Sequence, residues 1–159
     1  ENKPLIFWLI DNLNINKSID FVYIPYNKEY KKYNIEKILL NKYPNINFRF
    51  LCLENNTNGA AETISIALND LISKNYIDMP ILCVDSDNFY TTDIISQWNG
   101  ENSIFAFSDK CEDPIFSYIN FNKNYDLIDI VEKEKISDFA CTGAYGFFSF
   151  NSFLFMFLR

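Results

Sequence analysis

The first half of the chain alternates short apolar runs, typical of buried strands, with longer stretches that have helical periodicity. Strand-like runs occur at Ile19–Pro25, Asn47–Leu53 and Ile81–Asp85. Between them, Ile35–Tyr43 and Ala60–Lys74 carry apolar residues every three or four positions, as a helix does. Strands separated by helices are joined by crossovers, which are right-handed in nearly all proteins. This order predicts an α/β fold with a largely parallel sheet.

The second half of the chain is strand-rich and has little helix after a short helix predicted near Thr92. Its strand-like runs are SIFAFS, IFSYINF, LIDIVEK and GAYGFFSF, at residues 103–108, 115–121, 127–133 and 143–150. Runs that follow one another in this way form antiparallel pairs. We therefore expect a mixed sheet, mainly parallel, in one domain over residues 1–159. At the chain's start, Pro4 is placed to open a helix that carries Leu5 and Leu9 on one face.

Composition limits the class of protein. The chain has 159 residues, is 48% hydrophobic and carries a net charge of −7, so it is globular and lacks the basic surface of a nucleic-acid binder. An acidic protein can still bind a nucleotide if a metal or backbone N–H groups supply positive charge.

Neither export nor a membrane anchor is expected. The opening ENKPLIF has no basic region followed by a cleavage site. The apolar end, residues 144–159, is shorter than the roughly 20 residues of a membrane span and is predicted as a strand followed by an amphipathic helix. The four cysteines form no CxxC pair and histidine is absent, which argues against a zinc site. A reduced, cytoplasmic protein is the simpler expectation.

Two carboxylates, Asp85 and Asp87, follow directly on the strand-like run Ile81–Val84. In α/β sheets, ligands bind outside the carboxyl ends of the parallel strands. Two acids facing one point repel unless a cation lies between them, and hard oxygen ligands favour Mg²⁺ or Mn²⁺. The alternative is that Asp85 ends the strand while Asp87 and Asn88 simply form a turn.

Small residues mark two further places where a ligand could approach the backbone. Gly59 and Ala60 lie where a loop enters a helix, with Glu62 in its first turn; free N–H groups and the helix dipole favour a nucleotide there. An ordinary helix cap explains the same residues. Gly143 and Gly146 interrupt the last strand, which is typical of a bulge or of a ligand lying close. The preceding Glu132 and Lys133 either face a cleft or belong to a solvated strand end.

Taken together and in order, GAAET, VDSDNFY, DLIDIVEK and CTGAYGF resemble motifs of the sugar-phosphate nucleotidyltransferase family, of the glucose-1-phosphate thymidylyltransferase type. The opening KPLIFWLIDNL is similar to the helix that follows the family's first loop. The resemblance covers nearly the whole chain. It implies a Rossmann-like, three-layer nucleotide-diphospho-sugar transferase fold, which is GT-A-like.

The resemblance also implies roles for residues. Asp87, assisted by Asp85, would bind the metal, Mg²⁺ or Mn²⁺, and Gly59, with Ala60 and Glu62, would bind the nucleotide. The phosphorylated acceptor would contact a third set, in which Glu132 accepts hydroxyl hydrogen bonds and Gly143 lets the ligand lie against the strand: Glu132, Lys133, Thr142, Gly143 and Tyr145.

The activity implied is transfer of a nucleoside monophosphate from a nucleoside triphosphate to a sugar 1-phosphate or similar acceptor, with release of pyrophosphate, as in the synthesis of surface polysaccharide precursors. The attacking phosphate is already ionised, so no general base is required. The partners are small molecules; nucleic acid and membrane are not expected. The sequence leaves the base, the acceptor and the oligomeric state, a homo-oligomer included, open.

The family's opening G-G-x-G-T-R loop has no counterpart, because no glycine precedes Gly59. We therefore expect the chain to be the middle of a longer domain and to lack activity on its own if that loop is required. Two alternatives stay open. One is a metal-dependent DxD glycosyltransferase, and the other is an inactive, truncated nucleotide-binding domain.

Overall fold

A computed structural model describes residues 3–15, 21–88 and 90–157. The chain divides into two compact units. One contains Glu1–Leu13 and Ile81–Phe148, and the other contains Asn14–Pro80 and Ser149–Arg159. We call the first the antiparallel unit and the second the βαβ unit, after their strand pairings.

The βαβ unit is built on one parallel strand pair, β1 (Val22–Asn27) and β2 (Phe48–Leu53). A 3₁₀ helix, Lys28–Tyr33, and α2, Ile35–Lys42, connect the two strands. The longest helix, α3, spans Ala60–Ser73, and its apolar stripe is buried at Ala67, Leu68 and Leu71. The parallel register pairs Val22 with Phe48 and Asn27 with Leu53, so both strands end at the same edge.

The same unit contains the last helix, α5, Phe150–Phe157. Asp78 stabilises the start of this helix, because its carboxylate accepts hydrogen bonds from the Ser149 hydroxyl at 2.6 Å and from the Asn151 amide at 3.2 Å. Phe150, Phe153 and Leu154 are buried. Helices α3 and α5 contact one another.

The antiparallel unit begins with α1, Leu5–Asn12, and contains β3 (Ile81–Val84) and the short α4 (Ile94–Gln97), whose first turn is capped by Asp93. Four further strands complete it: β4 (Ser103–Ser108), β5 (Ser117–Phe121), β6 (Leu127–Glu132) and β7 (Phe139–Phe147).

Strand β7 is the centre of this sheet, because it pairs with β3, β4 and β5, while β6 pairs with β5 at the edge. Its core includes Leu9, Tyr90, Ile94 and Ala144. Beside β4, Gly146 lies against the Trp98 indole, where a Cβ would come within 2.8 Å of Cε2.

The mixed α/β class is confirmed, and the predicted helices and strands are present with bounds shifted by a few residues. The balance of pairings differs from the expectation. Among the described strands, one pair is parallel and four are antiparallel, so parallel pairing does not predominate. The physical reason is that β3 pairs with β7, which returns in the opposite direction, instead of extending the series of crossovers.

Two of the predicted strands do not match the described strands residue for residue. The strand predicted at GAYGFFSF lies earlier, since β7 begins at Phe139 and α5 begins at Phe150. The first two residues of the strand predicted at Ile19–Pro25 lie outside the described residues.

Within the described ranges, no helix combines the length and the hydropathy that crossing a membrane requires.

Candidate functional site

The two predicted carboxylates lie where β3 ends beside β7. The register pairs Cys83 with Tyr145 and Val84 with Ala144. Asp85 continues this pairing after the strand, because its backbone amide donates a hydrogen bond to the Gly143 carbonyl at 2.9 Å. The backbone position of Asp85 is therefore fixed by β7, although β3 itself has ended.

Gly143 is required by the structure for two separate reasons. Its φ is +76°, a left-handed conformation that residues with a Cβ rarely adopt. A Cβ there would also lie 2.9 Å from Asp85 Cγ and 2.8 Å from Asn88 Nδ2. The missing side chain thus leaves the space that the Asp85 carboxyl occupies.

Thr142 anchors the loop that follows β3. Its carbonyl accepts hydrogen bonds from Asn88 Nδ2 at 2.9 Å and from the Tyr90 hydroxyl at 3.0 Å. Its own hydroxyl donates to the Phe105 carbonyl at 3.0 Å. The Thr142 side chain is therefore bonded to β4, and the loop that contains Asp87 is held at one side by Asn88.

The electrostatics of this site disfavour negative charge. Although much of the Asp85 side chain is exposed, partial burial raises the pKa of its carboxyl, and the charge of Asp87 raises this pKa further. Burial, followed by the charges of Cys141 and Asp85, also raises the pKa of Tyr145 to about 12. Burial and then Asp85 raise the pKa of the Cys83 thiol to about 12. Cys83 is therefore protonated and inert at neutral pH.

The donor set of the site fits Mg²⁺ or Mn²⁺. Asp85 and Asp87 offer hard carboxylate oxygens, and a cation between them would relieve the repulsion that raises the Asp85 pKa. Within the described ranges, no cluster of three or more His, Cys, Asp or Glu side chains could hold a metal. Mg²⁺ at phosphate sites usually keeps several waters and is bound by one or two carboxylates together with phosphate oxygens.

Glu132 is the last residue of β6 in the antiparallel unit, and Lys133 follows it. Both side chains are largely exposed, and the Lys133 ammonium lies 3.6 Å from Glu132 Oε1. Lys133 has a φ of +56°, and its backbone amide donates to the Phe116 carbonyl at 2.8 Å. The backbone turns sharply at this point, so Lys133 does not continue the strand.

The three residues predicted to bind nucleotide all lie at the start of α3 in the βαβ unit. Gly59 is extended, at φ 161°, and has no atom within 4 Å of an added Cβ, so the backbone is open to approach. Ala60 is exposed at the first position of α3. Glu62 turns back on the loop, where it accepts hydrogen bonds from the Asn58 amide at 2.5 Å and from Asn58 Nδ2 at 2.8 Å.

An open groove of about 340 Å³ lies beside this helix start, at the edge where β2 ends. Small-molecule pockets begin at roughly 300 Å³, so one flat group could be accommodated. The groove combines an apolar floor with polar loop residues, and its lining comprises Leu51, Cys52, Leu53, Glu54, Asn55, Asn56, Thr57, Glu62 and Ile66.

No family model matches the sequence, and no curated protein matches it. Solved structures do share its fold. The nucleoside-diphosphate-sugar pyrophosphorylase from Vibrio cholerae RC9 aligns with a TM-score of 0.82 at 18% identity, over 99% of this chain and 66% of its own.

Two further structures are similar. A Bacillus anthracis protein described as a glucose-1-phosphate thymidylyltransferase, solved with sucrose, has a TM-score of 0.70 at 18% identity, over 96% of this chain and 61% of its own. HddC from Yersinia pseudotuberculosis, complexed with GMP-PN, has a TM-score of 0.66 at 18% identity, over 96% and 65%. This chain spans less than two thirds of each of these proteins. At such identity, the likeness shows that this chain shares the fold of these proteins.

Sequence reasoning missed several residues of the two sites. Tyr90 is 7% exposed, and its hydroxyl donates a hydrogen bond to the Thr142 carbonyl. A buried tyrosine hydroxyl usually has a hydrogen-bond partner, and that rule is the signal that could have indicated this contact. The loop residues Glu54, Asn55 and Asn56 line the groove but carry no periodic pattern. Their only signal was their position after a strand end.

Proposed function

We propose that this chain is the part of a nucleotidyltransferase that binds the metal and the phosphorylated acceptor and contributes to the nucleotide site. The observation that carries the proposal is the pair Asp85 and Asp87 at the end of β3, with Gly143 opposite. Its support is the fold, which is shared with nucleotide-sugar pyrophosphorylases and thymidylyltransferases.

In the proposed reaction, a phosphate oxygen of the acceptor attacks the α-phosphorus of a nucleoside triphosphate. A new P–O bond forms, the bond to the β-phosphate bridging oxygen breaks, and pyrophosphate leaves. The acceptor oxygen is already ionised, so no side chain has to remove a proton. Catalysis then consists of holding two anions in line and balancing the developing charge.

Different residues of this chain would bind the metal and the acceptor phosphate. Asp87 and Asp85 would hold Mg²⁺ or Mn²⁺, which when bound neutralises phosphate charge. Gly143 keeps the space for the Asp85 carboxyl, and Asn88 fixes the loop of Asp87. Lys133 would supply positive charge to the acceptor phosphate.

Hydroxyl recognition and base recognition use other residues. Glu132, an exposed carboxylate, would accept hydrogen bonds from acceptor hydroxyls, and Thr142 and Tyr145 belong to the strand on which the acceptor would lie. The groove beside Gly59 and Ala60 would receive the base, with Glu62 ordering its loop.

The test is pyrophosphate release by the full-length protein from each common nucleoside triphosphate, with Mg²⁺ and either glucose 1-phosphate or phosphocholine. We expect Asp87→Asn to lower kcat by at least about a hundredfold, because charge stabilisation of phosphoryl transfer is lost. Asp113→Asn, which changes an exposed acid in the β4–β5 loop, is the control and should retain wild-type turnover. Near-normal turnover of Asp87→Asn would contradict the metal assignment.

The two carboxylates of the DxD sequence favour one second candidate, a metal-dependent glycosyltransferase that uses a nucleotide sugar. The product distinguishes the two activities. Release of a nucleoside diphosphate from a nucleotide sugar, without pyrophosphate release from a triphosphate, would establish the glycosyltransferase. Calorimetry with nucleoside triphosphates and Mg²⁺ that gives no heat at millimolar ligand would instead support an inert domain.

A further inference from the structure

A buried polar network lies behind the loop that follows β6, and the proposed reaction does not use it. At its centre is Asp109, which directly follows β4 and is 4% exposed. The Asp109 carboxylate accepts hydrogen bonds from the Tyr118 hydroxyl at 2.6 Å and from the Cys111 amide at 3.0 Å. Tyr118, on β5, is fully buried. A carboxylate removed from water in this way requires such partners, and here it has them.

Lys135 connects this network to the β6–β7 loop. Its ammonium donates hydrogen bonds to the carbonyl of Asp109 at 3.0 Å and to the carbonyl of Cys111, and it lies 3.8 Å from the Asp138 carboxylate. The Asp109 amide donates in turn to the Asp138 carbonyl at 2.8 Å. The side chain of Lys135 is only 23% exposed, so its charge points inward and not to solvent.

The other side of the same loop is anchored separately. Lys133 has a left-handed φ of +56°, which is unfavourable for a residue with a Cβ and persists only where neighbouring contacts hold it. One such contact is the hydrogen bond from its amide to the Phe116 carbonyl. The anchors at Lys133 and Lys135 bracket a single residue, Glu134, so together they fix the direction of the backbone at Glu132 and Lys133.

We infer that Lys135 is a positioning residue: bound to the Asp109–Tyr118 network, it holds the loop in the conformation that presents Glu132 and Lys133 to the phosphorylated acceptor. The inference rests on the proposed function. Lys135 does not touch the ligand in this view, because its ammonium is used by backbone carbonyls. Its effect should therefore fall on acceptor affinity and should act through Glu132 and Lys133.

The kinetic test uses the full-length protein with glucose 1-phosphate and phosphocholine as acceptor probes. In Lys135→Met, the KM of the acceptor should rise about tenfold, because small misplacements of binding groups weaken binding steeply. The kcat and the KM of the triphosphate should change by less than about twofold. Lys135→Arg, which keeps the charge and the donors, should restore most of the acceptor affinity. The control is Lys74→Met, which removes a lysine bonded to Asp70 at 2.6 Å in the βαβ unit and should leave the acceptor KM unchanged.

Two further measurements separate positioning from general destabilisation. Combining Lys133→Met with Lys135→Met should raise the acceptor KM by less than the product of the two single fold-changes, because both changes affect the same loop. Hydrogen exchange of the amides at 132–136 should quicken in Lys135→Met, while exchange in β3 and β7 stays unchanged.

The contrary outcomes distinguish a failure of the inference from a failure of the proposed function. If the wild-type protein releases pyrophosphate and Lys135→Met leaves the acceptor KM unchanged, the inference is wrong and the proposed function stands. The same conclusion follows if the KM fold-changes of the two substitutions multiply in the double variant, or if exchange at 132–136 does not change. If the wild-type protein releases no pyrophosphate with any triphosphate and either acceptor, the proposed function is wrong and the inference is wrong with it.

Discussion

The amide of Asp85 donates a hydrogen bond to the carbonyl of Gly143, and the Asp85 carboxyl occupies the space that a side chain at Gly143 would fill. A metal-binding candidate and a glycine 58 positions later in the sequence are thus one structural unit. The glycine's first role is to admit the carboxylate, whether or not a ligand also lies against the strand.

Because Gly143 leaves the space for the Asp85 carboxyl, Gly143→Ala should both destabilise the fold and weaken metal binding. The left-handed φ and the overlap with Asp85 Cγ should together lower the free energy of unfolding by about 1–3 kcal/mol, and the displaced carboxylate should weaken Mg²⁺ binding. Urea unfolding and calorimetric Mg²⁺ titration measure the two effects. The matched change is Gly59→Ala, which meets no atom within 4 Å in an extended backbone and should cost less than about 1 kcal/mol. Equal losses for both variants would contradict this account.

A second prediction concerns pH, because burial and Asp87 raise the pKa of Asp85 in the folded state. A raised pKa means that this group's contribution to stability is fully present below its unfolded pKa and is lost as the pH rises through the folded value. At pH 7 without metal, Asp85→Asn should therefore stabilise the fold, by about 0.5 kcal/mol after allowance for solvent screening. The gain should vanish near pH 3.

Mg²⁺ provides the control for that prediction. Added Mg²⁺ should raise the unfolding midpoint of the wild type more than that of Asp85→Asn, since the ion balances the charge that the substitution removes. A stability difference that does not vary with pH, or a response to Mg²⁺ equal in both proteins, would show that the Asp85 carboxyl is not the group responsible.

Much of this fold was accessible from the sequence, because its elements carry strong local periodicity. The run Ala60–Lys74 gave α3 almost to the residue, and the apolar run before Asp85 gave β3. The pairing of β3 with β7 was not accessible, because the partners are some sixty positions apart and each strand's pattern permits either direction. The alternation of strands and helices in the first half favours parallel pairing instead.

The residues of the candidate sites also differ in how far the sequence predicts them. The end of a strand indicates the positions of Asp85 and Asp87. Glu62 accepts hydrogen bonds from Asn58, and this contact agrees both with an ordinary helix cap and with a nucleotide site. The left-handed backbone at Lys133 and the inward ammonium of Lys135 depend on Phe116 and Asp109, and a single sequence gives no sign of such distant partners. The positions of these residues at strand and helix ends were predictable, and the contacts that orient their side chains were not.

A third prediction tests the start of α5. Asp78 is subject to burial, which opposes its charge, but hydrogen bonds from Ser149 and Asn151 outweigh it and lower the pKa. Asp78→Ala should cost about 1 kcal/mol at pH 7, as the loss of a helix cap does. Because a lowered pKa confers stability that disappears as the pH falls through the folded value, the difference from wild type should shrink towards pH 3. Ser149→Ala should cost a similar amount, and the double variant should lose less than the sum.

The last prediction concerns the loop beside the groove, where Glu62 accepts two hydrogen bonds from Asn58. Glu62→Ala removes both, at ~1 kcal/mol each, and should loosen the loop that contributes Asn55, Asn56 and Thr57 to the groove. If the groove receives the base, the KM of the nucleoside triphosphate should rise about fivefold while the acceptor KM stays constant. Glu62→Gln keeps one acceptor oxygen and should lose much less affinity. A rise in the acceptor KM in place of the nucleotide KM would place the acceptor, and not the base, at this groove.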